Sequence, residues 1–141
     1  MTENKKSSLN EVTEYAIEPL YTKPSGLYVQ EIDRQDLPLG FIPIVRHLVT
    51  IPPKGYSANH KHPRNEAFIG IGSELTFMWI DCSGNKQSID MNKDGRLKLI
   101  VVPSNTPHVI INNSSSPAVL LEYADKVQID DDITLVDVLS A

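Results

Sequence analysis

The chain is short of nearly every feature that marks a protein for export, a membrane or nucleic acid. Only one of its 141 residues, Cys82, is a cysteine, so no internal disulfide can form and nothing points to an oxidising compartment. Residues 1–11 are polar, and Lys5 and Lys6 are not followed by the apolar run that a secretory leader needs. No stretch approaches the roughly 18 apolar residues of a membrane-spanning helix. Basic charge is also scarce. Thirteen Lys and Arg stand against 18 Asp and Glu, and the net charge of −5 leaves no electrostatic footprint for nucleic acid or an anionic membrane. The expectation is a cytoplasmic protein whose partner is a small molecule.

Hydrophobic residues make up 40% of the sequence, enough for one core in a chain of this size. Internal repeats and low-complexity segments are lacking. Short strand-like segments follow one another at 27–32, 42–51, 57–62, 66–71, 75–80, 87–91, 97–102, 108–111 and 118–123. Turn-forming residues at 52–55, 81–85, 92–95 and 112–117 separate them. Residues 11–17 read as a short helix. This density of strands predicts an all-β sandwich or barrel, in which closure removes exposed edges. The stretch 124–141 carries five Asp against one Lys, but its Ile133, Leu135 and Val138 can dock as an edge strand or a short helix.

Histidine is sparse as well, with four in the chain, and three of them fall in two short stretches. Along an extended segment His60 and His62 share a face, and a turn at Pro63-Arg64 brings Glu66, of the same parity, back beside them. Two imidazoles and a carboxylate that converge in this way suit a divalent metal with open positions for water or substrate. His108, which starts a strand after a turn at Pro103-Ser104-Asn105-Thr106-Pro107, offers a fourth ligand. Asn105 tolerates the positive φ that such a turn demands. His47 matches no ligand pattern and reads as an ordinary strand histidine. Cys82 sits in a turn and reads as incidental. Arg46 is weighed equally as a carboxylate- or phosphate-binding residue and as an exposed charge. Tyr56, Phe68 and Trp79 are candidate substrate contacts, with core packing the commoner use of such aromatics.

Gly55, His60, His62, Glu66 and Gly72 resemble the first motif of the cupin superfamily, with two gaps one residue short. Pro103, Asn105, His108 and Asn112 resemble the second motif, with Asn105 in place of glycine. Within that superfamily the chain is similar to WbuC-type cupin-fold metalloproteins of surface-polysaccharide clusters. Sugar-nucleotide ketoisomerases and archaeal-type phosphoglucose isomerases share the same skeleton. The resemblance implies a jelly-roll β-barrel, or double-stranded β-helix, at 26–123, with an N-terminal extension at 1–25 and an acidic tail at 124–141. It implies one divalent transition metal (Zn, Mn, Fe, Ni or Co) on His60, His62, Glu66 and His108. The expected activity is isomerisation or epimerisation of a sugar or sugar phosphate in polysaccharide biosynthesis. The alternatives are a non-catalytic metal- or ligand-binding cupin, an Fe(II) dioxygenase, and a metal-free sugar-nucleotide ketoisomerase. A homodimer is expected, through Ile42, Ile44 and Leu48 with Ile133, Leu135 and Val138.

Overall fold

The computed structural model describes residues 10–32, 37, 41–93 and 95–141. The leading lysines Lys5 and Lys6 and the turn residue Asp94 lie outside them. In chain order the strands are β1 (Thr13–Ala16), β2 (Pro19–Thr22), β3 (Tyr28–Gln30), β4 (Val45–Ile51), β5 (Tyr56–Lys61), β6 (Glu66–Ile71), β7 (Leu75–Ile80), β8 (Lys86–Asp90), β9 (Lys98–Val102), β10 (His108–Asn112), β11 (Ala118–Ala124) and β12 (Thr134–Leu135), with a 3-10 turn at Asp130–Asp132. No helix among the described residues is long and apolar enough to cross a membrane.

Alternating side chains dictate two layers. One five-stranded sheet runs β1-β9-β6-β11-β4, the other runs β12-β5-β10-β7-β8, and β2 and β3 form a separate hairpin. All pairings are antiparallel, as in the jelly roll that the resemblance implies. Ile51, Phe68 and Leu120 of the first sheet meet Leu75, Phe77 and Ile110 of the second, and all six are buried. Each such side chain taken from water contributes roughly 1.5–3 kcal/mol. The residues of opposite parity in the first sheet, Ala67, Ile69 and Val101, form a second cluster with Ile17 and Phe41 on its outer face.

The segment expected to be helical, 11–17, is instead β1, with Thr13 opposite Val101 and Ala16 opposite Lys98. Val12, Thr13 and Tyr15 are β-branched or aromatic, and the open edge of β9 supplies hydrogen bonds that a short isolated helix would lack. Of the two forms expected for the C-terminal stretch, the edge strand is the one that occurs. The 3-10 turn leads into β12, which pairs with β5 through Thr134–Lys61 and Leu135–His60.

The glycines and asparagines of the two motifs are structural. A Cβ on Gly55 would lie 2.8 Å from Pro52 Cγ, and one on Gly72 would lie 2.9 Å from Ala118 Cβ. Asn105 adopts φ 62°, as its turn requires. Asn112, fully buried, donates from Nδ2 to the carbonyls of Ile51, Pro52 and Ser116, and its Oδ1 accepts from the Ser114 amide and hydroxyl.

Candidate functional site

Strand register gathers the histidines. In the second sheet β10 lies between β5 and β7, and His108 stands opposite both His60 and Trp79. His62 follows β5, and Glu66 opens β6 in the other sheet, so the cluster spans the interior between the layers. The three imidazoles each offer a ring nitrogen, and these atoms lie within 4.8 Å of one another. His62, Glu66 and His108 are buried, whereas His60 is partly open.

Hydrogen bonds fix the chemical state of this cluster. His108 Nδ1 lies 2.8 Å from the Thr106 carbonyl. A carbonyl only accepts, so Nδ1 carries a proton, and in the neutral ring Nε2 is the nitrogen left with a lone pair. Nε2 is buried, makes no other contact that would satisfy it, and lies 3.2 Å from Glu66 Oε1. A buried carboxylate oxygen this close to a ring nitrogen needs positive charge between them, either a proton on Nε2 or a bound cation. His62 Nε2 lies 2.9 Å from the same oxygen, and His62 Nδ1 is also buried without a partner. Burial works to raise the Glu66 carboxyl, but the contacts with His108 and His62 outweigh it and hold it well below the usual carboxylate range. Burial, then the proximity of His108 and His62, pushes His60 down to about 4, so its ring is neutral near pH 7 and available as a ligand or base.

The other carboxylate oxygen of Glu66 is bound by Arg64, from Nη2 at 2.9 Å and Nε at 3.2 Å. Arg64 also reaches Glu122 Oε2 at 3.3 Å and the Lys126 carbonyl at 3.2 Å. Burial and the Glu66 charge push the Glu122 carboxyl up, against the pull of Arg64. Glu122 Oε1 in turn lies 3.3 Å from Nδ1 of the exposed His47. Sequence reasoning passed over Arg64, Glu122 and His47 as site residues. Glu122 shares the inward parity of Ala118 and Leu120, and His47 that of Val49 and Ile51; a charged residue in phase with a core face was the available signal.

A cavity of about 470 Å³ opens onto this cluster, with His60, Glu66, His108, Glu122 and His47 in its wall and Phe68 beneath. That volume lies within the range of small-molecule sites. The Phe68 ring packs 5.9 Å from the His108 ring, measured between centroids. The other three candidate contacts are not brought into the cavity. Arg46, of opposite parity to Val45 and His47, is exposed on the outer face beside Leu48 and Tyr123. Tyr56 is exposed at the start of β5. Trp79 packs on Phe77 and lines a separate cavity of about 530 Å³ against the loop 103–107.

Residues 47–123 match the family described as Cupin domain. Among curated proteins none matches the sequence significantly. Solved structures share the fold at low identity. A variant of the 3,4-ketoisomerase QdtA from Thermoanaerobacterium thermosaccharolyticum, in complex with TDP-4-keto-6-deoxyglucose, is 13% identical at TM-score 0.66 and covers 86% of this chain and 85% of its own. The dTDP sugar isomerase from Desulfovibrio desulfuricans is 11% identical at TM-score 0.69, covering 89% and 83%. The capsular polysaccharide assembling protein CapF from Staphylococcus aureus is 14% identical at TM-score 0.55, covering 65% of this chain. The chain spans only 28% of the length of CapF.

Proposed function

We propose, from the premise that the chain belongs to the cupin domain family, that it holds one divalent transition metal on His60, His62 and His108 with Glu66 beside them, and isomerises or epimerises a sugar or sugar phosphate. One observation carries the metal: ring nitrogens of His60, His62 and His108 converge within 4.8 Å of one another, with Glu66 Oε1 3.2 Å from His108 Nε2. A bound ion supplies Lewis-acid polarisation of a carbonyl or of a water. The chain's own residues do the rest. His108 is held in its ligand tautomer by Thr106. Arg64 keeps Glu66 ionised and oriented. Phe68 closes the cavity floor against water, and Glu122, whose carboxyl is pushed up, provides a proton-exchanging group in the same wall. The cavity has room for a small molecule, and the sugar class is supported by the ligand named for the QdtA structure and by the name of the dTDP sugar isomerase.

Metal analysis of protein purified without added metal tests this reading. Near one equivalent in the wild type and loss in His108→Ala support it, and a metal-free wild type that also fails to take up cobalt or zinc overturns it. For the reaction, hydrogen exchange from solvent D₂O into the carbon beside the carbonyl of candidate keto sugars is the direct readout. An isomerase of this kind must break that bond.

A metal-free ketoisomerase with His60 and His62 as the proton-transfer pair is favoured by one fact. Glu66 is already bonded to both His62 and Arg64, which leaves His60, its ring centroid 4.6 Å from that of His62, beside a carboxylate that is already satisfied. Activity that survives chelation selects it.

A further inference from the structure

His60 is not carried on a regular strand. Ala58 and Asn59, consecutive non-glycine residues, hold φ of 77° and 68°, the left-handed region. The pairing of β5 with β10 slips at this point. His60 faces His108 and Ala58 faces Val109, so Asn59 is skipped and forms a bulge. A bulge of this kind re-aims the next side chain, and the next side chain is His60. Alanine gains nothing locally from such a backbone, so surrounding contacts must impose it.

Those contacts come from the C-terminal stretch. Asn59 Oδ1 accepts the amides of Val138, at 2.8 Å, and Leu139, at 3.1 Å. Its Nδ2 donates to Asp137 Oδ1 at 3.3 Å, and its carbonyl accepts the Val136 amide at 3.4 Å. On either side of this clasp, β12 pairs Leu135 with His60, and Lys86 Nζ donates to the carbonyls of Leu139 and Ala141. Val138 is fully buried and anchors the segment.

We infer that residues 134–139 are a template that holds the Ala58–Asn59 bulge and so aims His60 into the cavity, with Asn59 as the positioning residue. The stretch is therefore part of the site's construction, although none of its side chains reaches the donor set. The inference rests on the reading of His60, His62 and His108 as that set.

The test uses the full chain, Co(II) as a coloured probe, and two variants that break the clasp from opposite sides. Asn59→Gly keeps the left-handed backbone accessible but removes the side-chain clasp. Val138→Ala loosens the segment without touching the bulge. Both are expected to weaken Co(II) affinity by about 10–100-fold, the usual cost of losing a group that orients a ligand, and to alter the visible absorption band. A role confined to stability would leave affinity and band unchanged in the folded variant. If folded Asn59→Gly binds Co(II) with wild-type affinity and spectrum, the inference is overturned, whether or not Val138→Ala folds. If the wild type binds no Co(II), it is the donor-set reading that fails. The positioning of His60 is then judged on its ring resonances in the chelated protein: a shift in Asn59→Gly sustains the template, and unchanged resonances end it.

Discussion

Replacing Arg64 by methionine keeps most of the buried stem and removes the guanidinium. Arg64 is almost entirely buried, and its charge is shared between the buried Glu66 carboxylate and the partly buried Glu122, with the Lys126 carbonyl as third partner. Removing it leaves two negative groups facing each other with no countercharge. Breaking a buried pair in this way costs about 3–5 kcal/mol. For a domain of this length that corresponds to a fall in Tm of roughly 10–15 °C. Lysine at the same position restores the charge but not the two-pronged contact with Glu66 Oε2, and should recover only part of the loss. The pH dependence has a definite sign. Burial and Glu66 raise the Glu122 carboxyl in the folded state, so its contribution is present below the unfolded carboxylate range and is lost as pH rises through the folded value. Without Arg64 the raising effects go unopposed, so the variant's deficit should be larger at about pH 8 than at about pH 5. Thermal unfolding followed by circular dichroism in the presence of chelator measures both quantities. An Arg64→Met protein as stable as wild type at about pH 8 would refute the charge assignment of the whole cluster.

Four further outcomes are expected. His108→Ala should lower Co(II) or Zn(II) affinity by more than about 100-fold in a competition titration, because it removes a ligand rather than a group that orients one. In chelated wild-type protein, His60 should titrate at about 4 by NMR, since burial, His108 and His62 all disfavour its charged form; titration at an ordinary imidazole value would show the cluster to be open to solvent. Asn112→Ala should destabilise by about 2–4 kcal/mol in urea unfolding, because it strips hydrogen bonds from three carbonyls and from Ser114. We propose that the expected homodimer uses the exposed Ile42, Ile44 and Leu48 at the edge formed by β4: light scattering should then give a dimer for the wild type and a monomer for Leu48→Glu, and a monomeric wild type overturns it.

The parts of the molecule that were legible in the sequence are those that local patterns control. Segments 66–71 and 75–80 coincide with β6 and β7, because apolar runs there stop sharply at turn residues on both sides. Segment 42–51 is longer than β4, since exposed Ile42 and Ile44 precede its pairing with β11. The helix read at 11–17 became β1 because the edge of β9, some eighty residues away, decided its conformation. At the site, His60, His62, Glu66 and His108 stand out because each lies inside a compact motif. Glu122 and His47 become neighbours only through the β11–β4 register, which pairs them directly across 75 residues of chain. Likewise, even spacing along a strand shows that His60 and His62 can share a face, but it says nothing of the left-handed Ala58 and Asn59 just before them.

The two motif loops meet at two atoms, the His62 carbonyl oxygen and Asn65 Oδ1. The carbonyl of His62 accepts the amide of Arg64, at 3.0 Å, and that of Asn105, at 2.8 Å, while Asn65 Oδ1 takes the amide of Ser104. Loop 62–65 and loop 103–107 are thus clamped into one rigid block that straddles both sheets. Anyone grafting the first loop onto another barrel, or trading it between relatives, must carry the second with it: the smallest portable unit of this site is the pair.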